Sequence, residues 1–336
     1  MSFPQLHAGR DEPILEPDLP IVDAHHHLLV RPGLRYLLDD YLADAKAGHR
    51  IVASVYMEVL TFARRDGPEV LRPLGEVEFA NGCGAMCAGG YSDVLACAGI
   101  VGQADMRLGD GVAELLDRAL QAAPDRFRGV RQIAIDHPSE APYRFITNRP
   151  PRGIYQSPGF RPAMRQLVKR GLSFDVALFH SQLADVIELA DAVPDATLVL
   201  NHAGHAMAMD MSETERQEMF RAMRASLIEL GRRPNVHCKI GGLGLPFWGF
   251  GLEQRPDPIG YQELATLWRP IVETSIEAFG PQRCMMESNY PVDGRSAGFV
   301  PLWNALKHIV RGASAQDKAA LFHDTAVRVY RLSLPT

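Results

Sequence analysis

The 336-residue chain has no apolar run that could cross a bilayer: its longest apolar stretches, such as residues 51–59, fall far short of the roughly 20 residues a spanning helix needs. It also lacks any block of like charge. Lys and Arg number 35 against 40 Asp and Glu, a net charge of −5 with no long run of either sign, which argues against nucleic acid or a membrane surface as the main partner. Paired cysteines are missing as well. Cys83, Cys87, Cys97, Cys238 and Cys284 are odd in number and form no CxxC, so the expected state is reduced, mostly buried thiols. Residues 1–17 show no basic segment followed by an apolar one, so no secretory leader is recognisable and a cytoplasmic location is the expectation. No low-complexity linker and no repeat of 20 to 50 residues divides the chain. What is present is 46% hydrophobic and 22% charged residues, enough for a sizeable core and a small-molecule site.

Eight short apolar, β-branched runs can be picked out, most followed by a segment of helical pattern: residues 21–28, 51–59, 94–101, 128–135, 172–179, 196–201, 235–240 and 283–288. Near-continuous apolar runs suit strands buried on both faces, and their alternation with helices implies parallel pairing. The expected fold is α/β, a (β/α)8 TIM barrel in a single domain over residues 1–336. Helices are expected over 110–123, 182–192, 212–230 with Gly231 as a C-terminal cap, and 314–332. Three long connections, 61–91, 136–160 and 241–261, follow the second, fourth and seventh strands, where barrel loops build the active-site rim.

The first strand ends IVDAHHHL. Side chains two apart on a strand share a face, so His25 and His27 project together and His26 points away. Paired neutral imidazoles suit Zn²⁺, Fe²⁺ or Mn²⁺, with Asp23 as an orienting neighbour. His180 and His202 end the fifth and sixth strands, so four rings are expected to converge; His205 and His237 read as structural.

An HxH on the first strand, histidines ending the fifth and sixth, and Ser288-Asn289-Tyr290-Pro291 on the eighth together resemble the amidohydrolase superfamily. The likeness is greatest to its amidohydrolase-2 branch, which includes 2-pyrone-4,6-dicarboxylate lactonase and sugar-acid lactonases. It runs from about residue 19 to 332 and is carried by IVDAHHHL, RFRGVRQ, LVLNHAG and MMESNYPVD. The resemblance implies hydrolysis of a lactone or, less often, an amide. Some members hold a divalent metal, here zinc or manganese on His25, His27 and His202, and others work without one. An eighth-strand aspartate is the implied general base.

Here that position is Asn289, which cannot accept a proton as aspartate does. Glu287, two residues earlier on the same face and roughly 6.5 Å lower, is the relocated carboxylate, acting as base or metal ligand with Asn289 orienting the substrate carbonyl; a buried ion pair with Arg131 or Lys239 is the other reading. Glu58 closes the second strand as a ligand, a general acid or a hydrogen-bond partner. Arg128 and Arg131 lie on opposite faces, and Arg131 resembles the family's substrate-carboxylate arginine, with a salt bridge as its alternative role. Tyr143, Phe145, Tyr155, Phe247, Trp248 and Phe250 are candidates for apolar walls, and Tyr290 with Trp248 for substrate contact. The expected function is hydrolysis of a small anionic lactone, with a superfamily decarboxylase or a ligand-binding barrel without chemistry as alternatives. A homodimer is compatible with the apolar surface loops.

Overall fold

A computed structural model describes residues 6, 10–146 and 149–334; part of the N-terminal stretch scanned for a leader, and residues 147–148 of the fourth-strand loop, lie outside them. All eight apolar runs form strands: β1 (Ile21–His26), β2 (Ile51–Met57), β3 (Leu95–Gln103), β4 (Phe127–Ile133), β5 (Ser173–Ala177), β6 (Leu198–Leu200), β7 (Val236–Ile240) and β8 (Cys284–Met286). Each pairs parallel with the next in chain order. The barrel closes through a bridge between His26 and Tyr290, where His27 N donates to Tyr290 O and Asn289 N to His25 O. A short antiparallel hairpin, Leu29–Arg31 with Leu34–Tyr36, follows β1.

Two apolar layers hold this together. Val22, Ala24, Ala53, Val55, Met57, Val101, Val199 and Met285 fill the barrel interior, joined by Ala326, Val329, Tyr330 and Leu332 from the C-terminal segment. That segment plugs the N-terminal end of the barrel, where Arg128 donates to Arg331 O, so the interior is a packed core open only at the other mouth. The strands' outer faces pack against the helices in a second, larger layer.

Several helix expectations change in detail. The 212–230 helix runs Glu213–Gly231, started by a capping box in which Ser212 Oγ accepts from Glu215 N and Glu215 Oε2 from Ser212 N. Gly231 is inside it rather than a cap; a Cβ there would lie 2.0 Å from Ala278 O, so glycine is required by the close approach of helix Tyr261–Phe279. The 110–123 helix starts at Ala113 behind a 3-10 turn, and 314–332 is broken by a π-turn at Ala320–Asp324. The 61–91 connection is not a rim loop throughout, since Leu74–Met86 is a helix covering β3. No helix of the described residues is long and apolar enough to cross a membrane.

Candidate active site

The first-strand histidines are sorted by a register shift between Asp23 and His26. His25 and His27 face inward, their Nε2 atoms 3.2 Å apart, as their spacing predicts. His26 turns outward, with its ring stacked on Tyr41 at 4.0 Å. Asp23 braces this turn from behind, accepting from Tyr41 Oη, Ser288 N and Ser288 Oγ. His27 Nδ1–H donates to Met57 O at 2.9 Å, which leaves its Nε2 lone pair directed at the site.

Glu287 lies beneath these rings, wholly buried. Its Oε1 is 2.5 Å from His202 Nδ1 and its Oε2 2.9 Å from His25 Nδ1. The second contact is close but bent out of hydrogen-bond geometry, so His25 Nδ1 and Glu287 Oε2 are buried without hydrogen-bond partners. The anticipated ion-pair partners of Glu287 are taken elsewhere: Lys239 Nζ pairs with Asp175 Oδ1 at 2.9 Å and Arg131 Nε with Glu58 Oε1 at 2.7 Å. Burial pushes Glu287 up to about 8, against the opposing pull of the Lys239 ammonium. Burial also holds His25, His27, His202 and His205 well below 6.5, with neighbouring positive charge adding to it, so these rings are neutral at pH 7.

Four imidazoles do converge, but not the expected four. Ring centroids step from His27 to His25 (4.8 Å), to His202 (4.5 Å) and to His205 (4.6 Å). His180 is absent from the described cavity lining; its Nδ1 accepts from Met207 N and its own N–H donates to His205 O, so it secures the loop that delivers His205. His205 had read as a structural loop residue because sequence gives no sign that the chain turns back: His202, Ala203 and His205 all have positive φ, which folds HAGH over the mouth.

A cavity of about 400 Å³ opens above the rings, with His27, His202, His205, Glu58, Arg131 and Asn289 in its lining. Arg131 occupies both roles weighed for it. It lines the cavity, yet Nε and Nη2 are held by Glu58 Oε1 and Glu58 O, and Nη1 points to His25 Nε2 at 3.4 Å. The bidentate grip expected for substrate is therefore taken by Glu58, whose Oε2 remains buried and without a partner. Four arginines that the sequence reading missed, Arg31, Arg107, Arg149 and Arg295, also line the cavity; the available signal was their position in loops after strand ends.

Asn289 lines the cavity with φ at +52° and donates from Nδ2 to Asp293 Oδ1 at 2.8 Å. Asp293 thus places a carboxyl group directly behind Asn289, also missed, and burial raises it to about 7. Two anticipated substrate contacts fail. Trp248 is fully buried with Nε1–H on Gly242 O, and Tyr290 is buried with its hydroxyl on Ala297 O. Phe247 and Phe145 line the cavity instead; Tyr143, Tyr155 and Phe250 do not.

One donor atom from each of His25, His202 and Glu287 lies within 4.8 Å of the others, the only such cluster among the described residues. Two imidazoles and a carboxylate are a donor set that catalytic zinc sites use. Relative to the expected ligands, Glu287 takes the place of His27.

Comparison with known proteins agrees with this architecture. The chain is 33% identical to an uncharacterized protein, y4mH, of Sinorhizobium fredii over 94% of this chain and 99% of that one. It is 27% identical to an L-fucono-1,5-lactonase of Burkholderia multivorans, over 94% and 97% respectively. The fold matches a crystal structure of a Burkholderia multivorans amidohydrolase with bound zinc, at a TM-score of 0.70 and 22% identity, covering 93% of this chain and 99% of that one. The amidohydrolase family model matches residues 22–332, nearly the whole barrel, and the chain belongs to that family.

Proposed function

We propose that this amidohydrolase opens a small anionic lactone by attack of water on the ring carbonyl at the cavity floor. The observation that carries the reading is the joining of two features: a floor of neutral imidazoles backed by the buried Glu287 carboxyl group, and a lining with five arginines against two acids, Glu58 and Asp105. The lactonase named among the relatives supports the same reaction class.

Glu287 does not line the cavity and reaches it through His202, so it is a positioning residue rather than the direct base. Its Oε1 accepts Nδ1–H of His202 and fixes the tautomer in which Nε2 is free to take a proton from water. Arg131 Nη1, held in place by Glu58 and 3.4 Å from His25 Nε2, is a donor at the floor and stabilises negative charge developing on the carbonyl oxygen. Asn289, steadied by Asp293, orients the ester. The donor set of His25, His202 and Glu287, in which His25 Nδ1 and Glu287 Oε2 face each other at 2.9 Å without a hydrogen bond, fits a divalent ion such as zinc or manganese. Bound there, the ion would polarise the carbonyl and acidify water.

The test is a proton-release assay of the purified protein on a panel of anionic five- and six-membered lactones, with CO₂ release from aromatic carboxylates followed in parallel and metal content measured on the same sample. Turnover of a lactone is expected. CO₂ release without lactone turnover would replace hydrolysis by decarboxylation, and a stoichiometric zinc or manganese content would assign the ion.

A further inference from the structure

The cavity has two unlike arcs. Following the barrel order, loops after β8, β1 and β3 bring Arg295, Arg31 and Arg107 to one side. Strand β4 and the loops after β4 and β7 bring Ile133, Ile135, Phe145, Ile146, Leu245 and Phe247 to the other, with the half-exposed Arg149 of the same β4 loop, paired with Glu140, beside them. Those six belong to one apolar cluster, with Phe247 edge-on to Phe145 at 6.0 Å.

Some of the polar groups between these arcs are engaged with one another, while Glu58 Oε2 has no hydrogen-bond partner. Asp105 accepts from Arg107 and from Gln132 Nε2, and Gln132 Oε1 accepts from Met106 N. Glu58 Oε1 is held by Arg131. Among the described residues of the lining there is no Ser, Thr or Tyr. A polyhydroxylated ring laid against the apolar cluster would lose water from the hydroxyls on that side without gaining partners there, a penalty that an apolar body escapes.

We infer that the site takes an anion with an apolar, aryl or alkyl, body rather than a sugar lactone, the carboxylate lying on the arginine arc and the body against Phe145, Phe247 and Ile135. The inference rests on the lactone reading for the reaction, yet ligand class and reaction can fail separately. It sets this chain apart from the relatives whose name specifies a sugar lactone.

Titration calorimetry of the full chain with 4-phenylbutanoate and with D-gluconate, each a monocarboxylate, tests the ligand class without turnover. The phenyl compound should bind at least about 10-fold more tightly, the gain expected from burying an aromatic body. Phe145→Ser, at a half-buried wall position, should lower its affinity about 5-fold or more with little change for gluconate; Ile146→Thr gives the same readout should the first variant misfold. Equal or tighter binding of gluconate, no measurable binding of 4-phenylbutanoate, or indifference to both substitutions overturns the inference. Hydrolysis rates for phenyl-bearing δ-lactone carboxylates and for aldono-1,5-lactones complete the test. Preferential binding of the phenyl compound with no lactone turned over retains the ligand class and removes the hydrolase reading. Faster turnover of the aldonolactones does the reverse.

Discussion

The floor of the site and its rim are built from different material. The floor and the barrel body below it are strand-held: Glu287, His25, Asp175 and Lys239 are wholly buried, and each has neighbours placed by the hydrogen-bonded ladder. The rim is loop-held, and its charges reach solvent; the Arg149–Glu140 pair is 42% and 74% exposed. A fixed, dry floor makes small displacements costly and tunes proton affinity, whereas a wet rim of arginines attracts an anion without fixing chemistry. The two regions should therefore fail in different ways when altered.

The largest difference is expected at Glu287. Glu287→Gln keeps the shape but replaces the carboxyl oxygen that accepts His202 Nδ1–H by an amide that can turn its NH₂ toward that ring, and kcat should fall by about 10²–10⁴-fold with the circular dichroism spectrum unchanged. Full turnover by that variant would break the idea of a floor that acts through its carboxylate. In the barrel body, Lys239→Met strands Asp175, which Tyr330 Oη and Asn201 Nδ2 also contact, and should cost about 3–5 kcal/mol in denaturant unfolding. A loss under about 1 kcal/mol would show that this pair is no more demanding than a surface one.

Acid should also separate the regions. His49 and His237 are held down to about 4, chiefly by burial and secondly by Lys307 and Arg328 respectively. A histidine with a lowered folded-state value contributes stability that is full above its ordinary value of 6.5 and is lost as pH falls through the folded one. Buried carboxyls held up, Glu287 and Asp293 among them, act in the opposite sense, so the histidine contribution is read as a difference: between about pH 6.5 and 4 the melting temperature of the unmodified protein should fall relative to that of a His49→Asn/His237→Asn variant. Parallel profiles for the two proteins would contradict this. Arginines keep their charge over that range, so ligand capture by the rim should be insensitive to pH and sensitive to salt. The smallest effect belongs there: Arg149→Met should raise KM about 3- to 10-fold at unchanged kcat and shift stability by less than about 1 kcal/mol. A fall in kcat equal to that of Glu287→Gln would erase the distinction between rim and floor.

Much of the floor was legible because it is local. His25 and His27 share a face through strand periodicity alone, whereas Glu287 and Asn289 lie beyond the last residue of β8 and the positive φ of Asn289 breaks the two-residue repeat expected for them. All eight strands were readable from apolar runs, since a strand buried on both faces leaves a continuous signature. Asp293 was not legible as the group behind Asn289. Nor was the exchange of His180 for His205, because positive-φ turns at His202 and Ala203 decide which ring comes back to the mouth. The helix inside residues 61–91 was hidden by scattered Gly and Pro and a weakly patterned face.

What the sequence alone determined was the barrel and the strand ends at which the candidate site residues stand, whereas the aspartate expected at Asn289 was implied by the resemblance to the family and not by any pattern in the chain. The barrel and its strand ends depend on periodicities of two and about 3.6 residues, which operate within a single element. Only the tertiary structure decided that Glu287 joins His25 and His202, that Glu58 occupies Arg131, and that loops far apart in the chain share one cavity with an arginine arc and an apolar arc. Those are contacts between residues up to 262 positions apart in the case of His25 and Glu287 (287 − 25), made only when the eighth strand closes on the first, and no local pattern encodes which partner a buried charge will meet.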